Sequence, residues 1–168
     1  MNEIFYLNIC LLYFKHMFVK EIFMDQMKNR KKSVSLIRTR YQESDQMGLI
    51  HHSSHIIWFE IGRIELFKKH GISICDLEKE GILFPVLKIE AKYIAPVFFD
   101  EELELHTFIK HFSQYRIGIE YKIINQKEKL ICKGSSEHTF VHKKDYKTIP
   151  VPGFVQQQLE KKDIPNVN

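Results

Sequence analysis

One segment of this chain limits its possible folds more than any other, because it is apolar over most of its surface. Between positions 53 and 70, apolar residues recur at the spacing of a helix, and their neighbours widen the apolar face. These neighbours are Ile56, Trp58 and Phe59. We predict a helix over 53–70 that ends at Gly71. Because a helix this apolar is usually enclosed by other structure, we expect its regularly spaced positions to be core residues, namely Ile57, Ile61, Ile64 and Phe67.

Most of the remaining chain has the alternating pattern of antiparallel strands. A strand is predicted before the helix, a short helix or turn after it, and a small helix near the C-terminus. Four strands are predicted in between, with a turn at 125–128. In chain order, the elements are predicted at 33–41, 53–70, 73–80, 82–93, 102–111, 115–125, 129–142 and 154–162. We therefore predict an α+β fold in which a curved antiparallel sheet wraps one long central helix.

Composition and charge narrow the function classes. The chain of 168 residues is 44% hydrophobic and 27% charged, which is typical of a globular protein. Its net charge of +4 is too weak, and its basic runs too short, to predict nucleic-acid binding. The cysteines are widely spaced and fit neither a disulfide framework nor a metal motif, which indicates a reducing, cytoplasmic compartment. They are Cys10, Cys75 and Cys132.

The first thirty or so residues differ from the rest. Residues 4–19 are mostly apolar but are interrupted by Asn8, Lys15 and His16, and a membrane span needs about 20 apolar residues. Three interpretations are open for residues 1–29: an interfacial helix in contact with a membrane, an ordered extension, or upstream sequence translated from an early start codon. We favour the last, because a conventional domain begins at Ser33. We divide the chain into an N-terminal extension (1–32), one domain (33–162) and a C-terminal tail (163–168).

A polar turn directly before the long helix contains the most reactive combination of residues. Asp45 and Gly48 lie in this turn, and His51 and His52 follow at the predicted start of the helix. The free N–H groups of a helix N-terminus stabilise nearby negative charge and can polarise the carbonyl of a ligand. A carboxylate at this place can therefore support catalysis, although Asp45 could also be only a turn residue or a helix cap.

The spacing of these residues resembles a known signature. The motif reads Tyr41-x-x-x-Asp45-x-x-Gly48-x-x-x-His52, followed by Trp58-Phe59-Glu60 and Arg63. It resembles the signature of the 4-hydroxybenzoyl-CoA thioesterase family, which are hotdog-fold acyl-CoA thioesterases, and in particular the bacterial members encoded with the Tol-Pal system. A second stretch is similar to the Tyr-x-Ala-Pro turn and following strand of that family: Tyr93-Ile94-Ala95-Pro96 with Asp100 and Leu103. The similarity covers about residues 33–162.

The resemblance implies that the protein hydrolyses an acyl-CoA or acyl-carrier-protein thioester. It also implies a homodimer or homotetramer with active sites at the dimer interface. By position, Asp45 matches the catalytic carboxylate of the family, as nucleophile or as general base. The backbone N–H of His52 matches the group that polarises the thioester carbonyl. No cofactor is implied, because CoA is part of the substrate. The chain departs from the family pattern at Ser44, His51 and His55, which affects the expected acyl pocket.

Other motif residues have less specific roles. Tyr41, Gly48, His51, His55, Glu60 and Arg63 are predicted to bind substrate or support the site. Glu60 could be a second catalytic carboxylate, but we favour a supporting role in which it pairs with Arg63 or with a backbone group and holds the active-site loop. The three histidines near the helix start lack a second ligand cluster, so no metal site is predicted. Two other functions are open: a hotdog hydratase or dehydratase that uses His55 and Glu60, and a non-catalytic module that binds acyl-CoA or a protein partner.

Overall fold

One long helix lies against the inner face of an antiparallel sheet in the computed structural model, which describes residues 31–161. Interpretations of residues 1–29 and of the C-terminal tail lie outside the described residues. The helices are α1 (His52–Lys69), α2 (Ile74–Lys79) and α3 (Gly153–Glu160). The strands are β1 (Lys32–Arg38), β2 (Ile82–Leu83), β3 (Val86–Tyr93), β4 (Glu102–Phe112), β5 (Ile117–Asn125), β6 (Leu130–His138), β7 (Phe140–His142) and β8 (Thr148–Ile149). Among the described residues, no helix is both long and apolar enough to cross a membrane.

The main sheet has five strands in the order β1-β4-β5-β6-β3, and all neighbours are antiparallel. The predicted strand at 82–93 is wrong in one respect, because it divides at Pro85, which has no N–H for a strand ladder. The predicted strand at 129–142 likewise divides at Thr139. The separated pieces, β2 and β7, pair with each other, and the unpredicted β8 pairs with the other edge of β7, which gives a second small sheet in the order β2-β7-β8.

The buried face of α1 is not the one that the sequence predicts. Phe67 is buried as expected, but Ile57, Ile61 and Ile64 are 50%, 40% and 41% exposed. The face against the sheet is formed by Ser54, His55, Trp58, Phe59, Gly62, Leu66 and Phe67. The prediction that the three isoleucines are core residues is therefore wrong for this chain.

Two glycines explain this choice of face. A side chain at Gly62 would overlap Leu105 and Thr107 of β4, so only glycine allows α1 to lie this close to the sheet. A side chain at Gly134 of β6 would likewise overlap the ring of Phe59. Phe59 instead stacks on Tyr121 of β5, with 4.4 Å between ring centroids. The bulky aromatic side of α1 thus packs into the sheet, and the isoleucine side faces outwards.

Candidate active site

The turn that contains Asp45 is a small closed hairpin. The Asp45 N–H donates to the Leu49 carbonyl at 2.8 Å, and the Gly48 N–H donates to the Asp45 carbonyl at 3.0 Å. Gly48 has a φ of +75°, which explains the glycine in the motif. One carboxylate oxygen, Asp45 Oδ1, accepts from the N–H groups of Met47 (2.8 Å) and Leu49 (3.3 Å). No described residue donates to the other oxygen, Oδ2, so half of the carboxylate is available to a ligand.

The helix begins directly after this hairpin, with His51 as its N-terminal cap. His51 Nδ1 accepts from the Ser53 N–H at 3.3 Å, and the His51 carbonyl accepts from the Ser54 N–H at 3.0 Å. The N–H of His52, the first helical residue, has no acceptor among residues 31–161. It is therefore a free donor at the positive end of α1.

Glu43 attaches the turn to the helix, and the sequence did not predict this role. Its buried carboxylate accepts from the Trp58 indole N–H (3.1 Å), from the Arg40 guanidinium (2.9 Å) and from the Arg40 N–H (2.8 Å). The Glu43 carbonyl also accepts from the His51 N–H at 2.8 Å. Burial alone would raise the pKa of Glu43, but the hydrogen bonds from Arg40 and Trp58 outweigh burial and lower it. The only sequence signal was indirect: a buried Trp58 needs an acceptor for its N–H.

An aromatic cluster surrounds the first turn of α1. The Tyr93 hydroxyl, at the end of β3, donates to the His52 carbonyl at 3.1 Å. His55 is buried between the Trp58 ring at 4.8 Å and the Tyr93 ring at 5.1 Å, and burial lowers its pKa. His55 Nδ1 has no hydrogen-bond partner among the described residues. Tyr93 belongs to the second motif, but its contact with the helix start was not predicted.

Tyr41, Glu60 and Arg63 are the remaining candidates from the sequence. Tyr41 is 78% exposed and contacts the ring of Phe99. Glu60 and Arg63 form the predicted ion pair, with Glu60 Oε1 at 3.6 Å from Arg63 Nη2. Within residues 31–161, Glu60 has no hydrogen bond or ion pair with the Asp45 turn, whereas the Glu43 side chain bonds to Trp58 of α1, so a role of the Glu60–Arg63 pair in holding the active-site loop stays a prediction.

The sequence raised two other possibilities, a hydratase site at His55 and Glu60 and a metal site at the histidines of the helix start. Within residues 31–161, the structure supports neither. His55 is buried beside aromatic rings, whereas Glu60 is paired with Arg63, so the two do not form the acid–base pair that a hydratase would need. The His51 and His52 rings are 4.0 Å apart, yet no three His, Cys, Asp or Glu side chains in the described part group together as metal ligands.

Comparisons with known proteins agree on one family. Residues 39–159 match the model of the thioesterase-like superfamily. A putative acyl-CoA thioesterase, YneP, from Bacillus subtilis is 36% identical over 113 residues, which are 67% of this chain and 82% of that protein. The structure of a DHNA-CoA thioesterase from Staphylococcus aureus is 34% identical, with a TM-score of 0.69, and the match covers 71% of this chain and 80% of that one.

A structure of 4-hydroxybenzoyl CoA thioesterase, bound to 4-hydroxybenzoyl CoA, has a TM-score of 0.71 with 14% identity. The match covers 77% of this chain and 99% of that one. At this identity the likeness concerns the fold alone. Together, these matches confirm the predicted hotdog fold and the resemblance to 4-hydroxybenzoyl-CoA thioesterases.

Proposed function

Because the chain belongs to the thioesterase-like superfamily, we propose that it hydrolyses an acyl-CoA thioester to a free acid and CoA. Relatives with 36% and 34% identity are named as a putative acyl-CoA thioesterase and a DHNA-CoA thioesterase. One observation carries the proposal for the site: the hairpin and the helix start leave Asp45 Oδ2 and the His52 N–H without partners among the described residues.

These two groups suit the two requirements of thioester hydrolysis. The His52 N–H, at the positive end of α1, would donate to the carbonyl oxygen as negative charge develops on it. Asp45 would either take a proton from the attacking water or attack the carbonyl carbon itself. The C–S bond then breaks and CoA leaves as the thiol, while water supplies the new oxygen of the acid. No group outside the chain is required, so we expect no cofactor.

A thiol-release assay separates the candidate functions. With a panel of acyl-CoA and acyl-carrier-protein thioesters, we expect thiol release that is proportional to enzyme. Binding without thiol release would instead support a non-catalytic module. Loss of the enoyl absorbance of an enoyl-CoA, without thiol release, would support a hydratase.

We also propose that the protein forms a dimer through β3. This strand is an edge of the main sheet, and its outer N–H and C=O groups are unpaired within residues 31–161. Four of its eight residues are large, exposed hydrophobics: Val86, Leu87, Ile89 and Tyr93. A second copy of β3 would pair with these groups and cover the apolar residues in a closed two-fold arrangement.

Ile89→Lys, in the middle of β3, is expected to convert the dimer to monomer and reduce thioesterase activity at least about tenfold, because it buries a charge in the interface. Light scattering and thiol release would measure the two effects. Leu36→Lys is the matched control, since Leu36 lies on the opposite edge strand, β1, and is 82% exposed. A fully active Ile89→Lys dimer would rule out this interface.

We make two further predictions, which concern the cellular compartment of the protein and its association with the Tol-Pal system. The cysteine pattern favours a cytoplasmic enzyme. An association with the Tol-Pal system stays a prediction from the motif resemblance. Localisation of a tagged full-length chain would test the cytoplasmic location. Co-purification with Tol-Pal components would test the association with that system.

A further inference from the structure

A row of three lysines crosses three neighbouring strands of the main sheet. Lys133 of β6 is paired in register with Lys92 of β3 on one side and with Lys122 of β5 on the other. Residues directly opposite each other on neighbouring strands point to the same face of a sheet, and the strands lie about 4.8 Å apart. Like charges in such positions destabilise a sheet, so the lysine row has a cost that the packing of the fold does not explain.

The lysine row lies on the outer face of the sheet, opposite the long helix. Tyr121 and Gly134 are the chain neighbours of two of these lysines. The Tyr121 ring stacks on Phe59 of α1, and a side chain at Gly134 would overlap the same ring. Because side chains alternate along a strand, the lysines point away from α1. Two of them are exposed and the one on β5 is partly exposed, so the row is accessible from outside.

None of the three lysines has an ion-pair partner within residues 31–161. The one on β5 has only a cation–π contact, in which Lys122 Nζ lies 5.8 Å from the centroid of the Phe108 ring. Nearby carboxylates of the outer face are already bonded to other side chains, namely Glu90 to Lys88, Glu120 to Lys110 and Glu104 to His106. The row therefore presents three positive charges that the described part of the chain does not neutralise.

The narrow shape of the lysine row restricts the ligands that fit it. Glu90 and Glu120 lie two positions along β3 and β5 from the row, on the same face. A planar anionic surface, such as a bilayer, would contact these carboxylates as well as the lysines and would be repelled by them. A ligand with its negative charges in one line would contact the lysines alone. An α-helix with an acidic face is such a ligand, because its pitch of about 5.4 Å is close to the strand spacing.

The far end of the row is apolar. Beyond β5, the same register continues through His106 of β4 to Val34 of the edge strand β1. Val34 is 51% exposed, and Leu36 beside it on this face is 82% exposed. A ligand that runs along the row therefore meets cations first and apolar side chains last. This order matches an amphipathic helix that has carboxylates along one part and an apolar residue at one end.

We propose that the lysine row is a docking surface for an acidic amphipathic helix of a partner protein. The helix axis crosses the strands, so that carboxylates one helical turn apart meet the lysines of β3, β6 and β5 in succession. An apolar residue of the helix covers Val34 at the β1 end. This surface is on the opposite side of the sheet from α1, so it adds a protein partner to the proposed thioesterase activity.

A labelled helical peptide tests the surface directly. The peptide has glutamates at i, i+4, i+7 and i+11, and its control has the same composition with the glutamates distributed around the helix. Fluorescence anisotropy with the full chain at low ionic strength should show at least about fivefold tighter binding of the patterned peptide. The affinity should fall as salt is added, because the contacts are exposed ion pairs. Equal affinity for the two peptides would overturn the proposal.

Lys133→Glu, in the middle of the row, should weaken binding of the patterned peptide at least about fivefold, since it replaces an attraction by a repulsion. Its melting temperature should rise by about 1–4 °C, because the new carboxylate lies between Lys92 and Lys122. Lys144→Glu is the matched control, since Lys144 is exposed in the turn between β7 and β8. It should bind the peptide like the wild type. Unchanged binding, or a lower melting temperature, in Lys133→Glu would contradict the docking role.

Other ligands of the row would give different results with the same variant. Binding to vesicles of anionic lipid that depends on Lys133, without binding of the patterned peptide, would assign the row to a membrane. A KM for acyl-CoA that is at least about fivefold higher in Lys133→Glu would assign it to the phosphates of CoA, and a changed oligomeric state would assign it to contacts between copies. Each of these results would overturn the proposal. Lost peptide binding with unchanged thiol release is the expected result, whereas a wild type that releases no thiol would overturn only the proposed function.

Discussion

Asp45→Asn is expected to lower kcat for thioester hydrolysis at least about a hundredfold while the fold, the dimer and acyl-CoA binding are retained. An amide can neither attack the thioester nor take a proton from water. Its oxygen can still accept from the Met47 and Leu49 N–H groups, so the hairpin should keep its shape. Steady-state kinetics, together with thermal unfolding and light scattering, would measure both parts of this expectation.

Glu60→Gln is the comparison variant for this experiment, since it changes a carboxylate that is exposed and lies on the helix instead of the hairpin. We expect it to reduce turnover much less than Asp45→Asn does. Near-normal turnover in Asp45→Asn, combined with loss of turnover in Glu60→Gln, would transfer the catalytic assignment to α1.

Glu43→Ala should lower the free energy of unfolding by about 2–4 kcal/mol and kcat at least about tenfold. The substitution leaves the buried Trp58 N–H without its acceptor and removes the side-chain link between α1 and the segment before the Asp45 hairpin, while the backbone bond from the His51 N–H to the carbonyl of residue 43 remains. Urea unfolding and thiol release would measure the two losses. Glu80→Gln is a suitable control, because Glu80 is exposed at the end of α2. A Glu43→Ala protein with wild-type stability would contradict the anchoring role.

Glu43 also makes stability depend on pH in a defined direction. Its pKa is lowered in the folded protein, so the ionised carboxylate stabilises the fold at neutral pH. This contribution should be lost as the pH falls below the usual range of a glutamate and through the lowered pKa of Glu43. Glu43→Gln should therefore be less stable than wild type at pH 7, and the difference should shrink in acid. A difference that stays constant down to pH 3 would contradict this role.

The sequence by itself determined the elements and the position of the chemistry. Helical periodicity and Gly71 placed the long helix within a residue of its observed start at His52 and its end at Lys69. Alternation placed β4 and β5, and the spacing of Asp45, Gly48 and His52 indicated the family. These features depend on neighbours within a few residues, so local patterns are enough to identify them.

Only the tertiary structure decided which surfaces meet. Periodicity shows that α1 has apolar faces, but it does not show which face is buried. At Gly62, α1 lies very close to β4, which is distant in the chain, and this contact buries the aromatic face and leaves the isoleucines exposed. Glu43 gains its role from Trp58, 15 residues later, and Arg63 gains its place from His138, 75 residues later. Contacts over such separations arise from the packing of the whole sheet on the helix, and no local sequence pattern encodes them.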